Sequence, residues 1–173
     1  MIKKFIEFVE TLSESKHKND DKPNKTDDGK KVSGLKEVIE VVGLGKMKAK
    51  LDSGNTAQCA LIVQNCEEKD GKVTFDFNGE TKEYEVVDHK NIWHHGKSTE
   101  RPVIELDIKF HNTIYKSEKV NLKISDLTGT KHYRCRMLLS KQFMSRANIV
   151  IDPSKTFELT DKKELKKKKD KNA

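Results

Sequence analysis

One carboxylate stands out in this chain because of the turn that holds it. Asp52 follows an alternating run, M-K-A-K-L at residues 47–51, and is followed at once by Ser53 and Gly54. The alternation predicts a strand. Gly54 lets the chain bend tightly, and the Ser53 hydroxyl can brace the turn. A carboxylate that is aimed into a cleft from the end of a strand can act as a general acid or base.

Hydrolysis of a peptide bond by carboxylates needs two of them sharing a proton, one activating water and one polarising the carbonyl. The chain has a single D-S-G, because Leu127 interrupts the second candidate, S-D-L-T-G at residues 125–129. If Asp52 is catalytic, two copies of it must meet across a two-fold axis, with Ser53 hydrogen-bonding across that axis. Homodimerisation would then be part of the mechanism. The alternative is a strand-ending turn with no catalytic role.

Several segments resemble, in the same order, the retropepsin-like aspartic proteases, and most closely the bacterial and phage group known as ATP-dependent zinc proteases. The resemblance covers about residues 35–159. It implies a small closed acid-protease-like β-barrel and an aspartic endopeptidase activity. The segments that carry it are K-A-K-L-D-S-G at 48–54, E-R-P-V-I at 100–104, R-M-L-L at 136–139 and V-I-D-P-S-K-T-F at 150–157.

The resemblance also implies roles for particular residues. Asp52, Ser53 and Gly54 would form the catalytic turn. Residues 88–97 occupy the position of a flap over the bound peptide, and a solvent loop is the alternative for them. The expected flap and substrate-binding residues are Trp93, His94, His95 and Gly96, and the expected support beside the catalytic turn (the psi-loop) is Leu138, Leu139 and Ser140.

Two departures from the group's pattern lie next to the expected site. Asn55 stands where the group has alanine, and Ser140 stands where it has glycine, followed by Lys141 in place of arginine. A serine is small enough to fit beside the turn. A polar Asn55 next to the acid would be expected to alter its electrostatic environment.

The sequence predicts no metal site and no cofactor. H-E-x-x-H, C-x-x-C and G-x-x-x-x-G-K-[ST] are all absent. His89, His94 and His95 are close in sequence and Cys59 or Cys66 could approach them, but the spacing fits no standard zinc site. The zinc and ATP in the group's name therefore have no support in these residues.

The composition predicts one domain with appendages. Residues 1–13 read as an amphipathic helix, residues 14–34 as a flexible charged linker, residues 35–160 as the β-barrel domain and residues 161–173 as a disordered lysine-rich tail. A helix this short must dock to be stable, either on its own domain or on a partner protein. Its apolar stripe consists of Ile2, Phe5, Ile6, Val9 and Leu12.

Within the domain, short alternating segments predict a mainly β fold with one short helix at residues 142–146. The N-G pair at residues 78–79 and the H-N pair at residues 111–112 predict hairpin turns. Strands are expected at residues 37–42, 46–51, 57–65, 73–77, 81–87, 103–110, 113–124, 137–139, 149–151 and 157–159.

The net charge and the cysteines limit which partners and which cellular compartment we expect for this protein. The net charge is +7, and seven lysines lie in residues 161–173, which predicts a solvated tail with at most weak attraction to polyanions. The three cysteines show no paired spacing, and no apolar stretch is long enough to span a membrane. We therefore expect a cytoplasmic protein without membrane contact (in the host cytoplasm or the virion if it is phage-encoded).

A second function of a different class fits the same sequence. The fold could serve as a non-catalytic assembly module, for example a component of a phage virion, with the N-terminal helix and the tail as docking elements. A phage structural protein would then bind through residues 1–13. This hypothesis predicts a monomer or a hetero-assembly, whereas the protease hypothesis predicts a homodimer with a peptide or protein substrate.

Overall fold

A computed structural model describes residues 25–94, 96–125 and 135–165 of the chain. The predicted helix at 1–13, the linker up to residue 24, His95 and most of the tail lie outside the described residues. No helix in the described ranges has the length and apolar character that crossing a membrane requires.

The described chain is mainly β, as the sequence predicted. It contains one α-helix, α1 (Lys141–Arg146), which confirms the expected short helix, and one 3-10 helix (Lys162–Leu165) inside the stretch predicted as tail. The strands are β1 (Lys31–Gly34), β2 (Lys36–Val41), β3 (Gly45–Asp52), β4 (Cys59–Lys69), β5 (Lys72–Phe77), β6 (Glu80–Glu85), β7 (Asp88–His94), β8 (Lys97–Phe110), β9 (Thr113–Ile124), β10 (Met137–Ser140) and β11 (Ile149–Asp152).

Six strands pair in a ring around the main core. The order is β10, β3, β2, β8, β9 and β4, and β10 pairs again with β4 through Met137 opposite Leu61 and Leu138 opposite Ala60. β5 and β6 extend the sheet beyond β4, and β7 pairs with β8. Apolar and polar residues alternate along β3. Its apolar residues are therefore buried inside the ring, while the lysines between them are more exposed.

Local turn chemistry explains the hairpins. Asn78 and Gly79 both have positive φ angles, 54° and 83°, as the turn between β5 and β6 requires. His111, with φ 51°, begins the turn that joins β8 to β9. Both predicted hairpins are therefore confirmed.

Residues 88–94 and 97–103 pair as a β-hairpin, and so do not form the solvent loop that was the alternative. β7 pairs with β8 from Asp88 opposite Val103 to His94 opposite Lys97. Gly96, with φ 74°, lies in the turn. We call β7 and the part of β8 that pairs with it the flap hairpin, after the role that the resemblance implied for residues 88–97.

The expected strand at residues 157–159 is wrong, because Phe157 has a φ of 59°, outside the strand region. The segment is held instead by the buried carboxylate of Glu37, which accepts hydrogen bonds from the backbone N–H groups of Glu158 and Leu159 at 2.9 and 3.2 Å. The same carboxylate accepts from the Thr160 hydroxyl at 2.6 Å. One side chain of β2 therefore fixes the path of the chain after β11.

β1 lies inside the stretch predicted as linker. It pairs in parallel with β11, from Lys31 opposite Ile149 to Gly34 opposite Asp152. Gly34 also passes so close to the later chain that an added Cβ would lie 2.6 Å from the Cα of Thr156. The described chain therefore enters the fold before residue 35.

Candidate functional site

The catalytic turn predicted from sequence lies at the end of β3. Asp52 is the last residue of that strand, and the N–H of Asn55 donates to the carbonyl of Asp52 at 3.0 Å, which closes the turn. Ser53 and Gly54 are exposed, whereas Asp52 is half-buried. The Asp52 carboxylate forms no hydrogen bond or ion pair with another described residue, so it is available to a ligand.

Strand β10 supports this turn from the side, as the resemblance implied for residues 138–140. It runs parallel to β3, with Leu139 opposite Leu51 and Ser140 opposite Asp52. Leu139 is fully buried in the core, while Leu138 is half-buried. A strand inserted between β3 and β4 therefore fixes where Asp52 emerges.

The Ser140 hydroxyl is engaged away from Asp52. It caps α1 by accepting a hydrogen bond from the N–H of Phe143 at 3.2 Å. The N–H of Ser140 donates to the Sγ of Cys59 at 3.4 Å. Serine in place of glycine here therefore begins the helix, and adds no polar group facing the carboxylate.

Asn55 is likewise engaged by its own loop. Its Nδ2 donates to the carbonyl of Gln58 at 3.0 Å, and its Oδ1 accepts from the N–H of Ala57 at 3.1 Å. Its carbonyl accepts from the N–H of Lys141 at 2.8 Å, which ties the turn to α1. The side chain expected to alter the surroundings of Asp52 therefore makes its hydrogen bonds with its own loop.

A cleft of about 420 Å³ joins the turn to the flap hairpin, a volume within the usual range of ligand pockets. Both Asp52 and Trp93, which is 73% exposed, line it. The other lining residues are Gly54, Asn55, Thr56, Ala57, Ala60, Lys90, Asn91, Ile92, Arg101, Asn121, Lys123 and Leu138.

The cleft carries three basic groups and one carboxylate. Lys90, Arg101 and Lys123 line it, and Asp52 is the single acid among its lining residues. None of the three cations forms an ion pair with a described residue. Such a cleft creates a positive potential that attracts acidic ligands.

Arg101 is positioned by a buried amide. Its Nη1 donates to the Oδ1 of Asn121 at 3.2 Å, and the Nδ2 of Asn121 donates to the carbonyl of Cys59 at 2.8 Å. Partial burial lowers the pKa of the Arg101 guanidinium from its usual value. No sequence motif marks this residue as part of the site, although it lies in the E-R-P-V-I segment.

The remaining predicted site residues lie elsewhere. Ser53 lines a separate groove beside α1. Gly96 lies in the flap turn, outside the residues that line the cleft. His94 ends β7, but its side chain is outside the described atoms, as is all of His95.

The histidine and cysteine candidates for a metal are not assembled in the described residues, where no group of three or more His, Cys, Asp or Glu is placed to hold an ion. His89 contacts Glu68 at 2.9 Å, and this contact raises the pKa of His89. Cys59 is buried against Ser140, and burial raises the pKa of its thiol. Cys59 is therefore a packed core residue.

No protein-family model matches this chain, and no curated protein matches it. A solved structure does: the crystal structure of protein Lpg0085 from Legionella pneumophila subsp. pneumophila str. Philadelphia 1, a DUF785 protein of unknown function. The two chains are 26% identical and superpose with a TM-score of 0.57. The match covers 75% of this chain and 98% of the Legionella chain.

Proposed function

We propose that this protein is a retropepsin-like aspartic endopeptidase that acts as a homodimer. Asp52 from each of two copies would form the catalytic dyad. The observation that carries the proposal is that Asp52 and the flap residue Trp93 line the same cleft. In this proposal Asp52 would supply one of the two catalytic carboxylates, and Trp93 would cover the bound peptide.

The dimer follows from the count of carboxylates in that cleft. Since Asp52 is its single acid, the second carboxyl group must come from a second copy. Ser53 and Gly54 are exposed beside it, which leaves the turn open to a symmetric partner. The side chains of Asn55 and Ser140 are engaged elsewhere and do not block that approach.

The chemistry then needs one proton shared by the two carboxyl groups. The ionised Asp52 takes a proton from a water molecule, and the oxygen of that water attacks the peptide carbonyl. The protonated Asp52 of the other copy hydrogen-bonds the carbonyl oxygen and stabilises the charge that develops there. Proton transfer to the leaving nitrogen breaks the C–N bond and yields a carboxylic acid and an amine.

The charges of the cleft favour acidic residues next to the cleaved bond. Lys90 and Lys123 come from two different strands and flank the cavity, and Arg101 is held toward it by Asn121. A peptide carboxylate entering this cleft would meet cations that lack an ion-pair partner among the described residues. The expected substrates are therefore acidic peptides or acidic protein segments.

The test combines the mass of the protein in solution with its activity. Light scattering at micromolar concentration should give twice the 19.9 kDa of one chain, and the same sample should cleave acid-rich peptides. Asp52→Asn should abolish cleavage and leave the circular dichroism spectrum unchanged, since the Asp52 side chain has no hydrogen-bond or ion-pair partner among the described residues. Cleavage by the Asn variant would contradict the proposal, and a strict monomer without cleavage would favour an assembly module instead.

A further inference from the structure

A second cavity lies on the other side of the catalytic turn. It has a volume of about 510 Å³ and runs between α1 and β11. We call it the α1–β11 groove. Its lining is largely apolar and includes Leu35, Met144, Ile149, Ile151 and Pro153. A groove of this size has room for a few large apolar side chains.

The described chain begins at the rim of this groove. Lys25 and Lys31 form an isolated antiparallel β-bridge. The turn between them is closed by the hydrogen bond from the N–H of Thr26 to the carbonyl of Lys30 at 2.9 Å. Lys30 itself lines the groove. The N–H of Lys31 donates to the carbonyl of Asn148, another lining residue, at 3.0 Å. The first 24 residues therefore enter the described fold directly beside the cavity.

We propose that residues 1–13 of the same chain occupy the α1–β11 groove with their apolar stripe. The stripe needs a surface, since a helix of this length is marginal in water by itself. Residues 14–24 are eleven residues that span up to about 40 Å when extended. The segment can thus reach the groove from Lys25 without strain.

The same chain is favoured over a second copy by proximity. A segment tethered through only eleven residues is present at an effective concentration of about a millimolar near its own groove. A second copy at micromolar concentration cannot match that without further contacts. Charge supports docking of this segment from either source, because Lys141 at the groove has no ion-pair partner among the described residues, and Glu7 and Glu10 lie on the polar side of the stripe.

Binding of residues 1–13 in the groove would also affect dimer formation, and this step rests on the proposed function. Ser53 lines the groove and is the neighbour of Asp52. Residues 1–13 in the groove would therefore lie next to the turn that a second copy must approach. Loosening the segment should raise the fraction of dimer at a given concentration.

Methyl NMR of the full chain tests the docking without any measurement of hydrolysis. Met144 lines the groove, while Met47 and Met137 are buried elsewhere and report on the fold. The stripe variant Phe5→Ser/Ile6→Ser should shift the Met144 methyl resonance and leave the two reporters unchanged. The matched control Lys3→Ser/Lys4→Ser, on the polar side, should shift none of the three.

The possible NMR results distinguish whether the groove is occupied by the same chain or by a second copy. An unshifted Met144 resonance in the stripe variant would overturn the proposal. A shift that disappears on roughly tenfold dilution would assign the groove to a second copy and would also overturn it. The measurement is a chemical shift, so the test of docking does not depend on whether the protein cleaves peptides.

Hydrogen exchange provides the second measurement if the stripe variant also perturbs the reporters. Slow exchange of the amides of residues 2–12 in the unmodified chain should be lost in Ile151→Asp, which changes the groove. It should persist in Ile124→Asp, which changes an exposed apolar residue of β9. Fast exchange in the unmodified chain, or equal exchange in both variants, would contradict docking.

Discussion

Trp93 lines the same cleft as Asp52, although the two residues lie on strands that do not pair with each other. Asp52 ends β3, whereas Trp93 lies near the end of β7 and pairs with Ser98 of β8. β8 connects the two, because it pairs with β7 at its beginning and with β2, the neighbour of β3, at its end. The strand order of the ring therefore brings the flap hairpin and the turn to the same cleft.

Replacing Trp93 should weaken catalysis without weakening the fold. The side chain is 73% exposed, so Trp93→Ala should change the free energy of unfolding by less than about 0.5 kcal/mol. Loss of its contact with a bound peptide should lower kcat/KM by about tenfold, equivalent to about 1.4 kcal/mol. Steady-state kinetics measure the effect. Ile114→Ala, an exposed apolar residue outside the cleft, is the control and should leave kcat/KM unchanged.

Neutralising the cleft should change the preference for acidic peptides. Lys90→Gln/Lys123→Gln should lower kcat/KM for acid-rich peptides by roughly three- to tenfold at low salt, with a smaller difference at high salt because ions screen the charges. Neutral peptides should be cleaved at nearly the same rate as before. Lys116→Gln, an exposed lysine outside the lining, should have little effect. Equal losses for acidic and neutral peptides would argue against charge recognition.

Glu37 should matter for stability more than any exposed acid. Its buried carboxylate accepts five hydrogen bonds, the three from Glu158, Leu159 and Thr160 and two more from the Ser33 hydroxyl and the N–H of Gly34. Removing it leaves buried donors unsatisfied, so Glu37→Ala should lower the free energy of unfolding by at least about 3 kcal/mol.

Urea denaturation measures the Glu37 effect, and Glu40→Ala on the same strand is the control. Glu40 is more exposed, so its replacement should cost no more than about 0.5 kcal/mol. Similar losses for the two variants would show that the segment after β11 does not depend on the buried carboxylate.

The elements that were predicted correctly are those with a local cause. The turn residues at 78–79 identify their hairpin, because a positive φ is tolerated there by asparagine and glycine. The alternation of β3 identifies both the strand and the point where Asp52 emerges. The helix α1 follows from a short segment with a capping serine at its start.

The elements that were missed depend on distant partners. β1 has no apolar alternation, and it is a strand because β11, more than a hundred residues later, pairs with it. Phe157 is an aromatic residue of a type that is common in strands. Its backbone leaves the strand conformation, and a hydrogen bond to Glu37 holds the next residue. The basic lining of the cleft was missed for the same reason, since Lys90, Arg101 and Lys123 come from three strands.

The most direct test of a shared Asp52 dyad is a subunit-mixing experiment. Wild-type protein is unfolded and refolded together with an increasing excess of Asp52→Asn, and acid-rich peptide cleavage is measured per wild-type chain. Mixed dimers contain one carboxylate, so the activity per wild-type chain should fall in proportion to the wild-type fraction. Cleavage that stays constant per wild-type chain, with mixed dimers shown to form, would mean that one Asp52 suffices and would contradict the dyad.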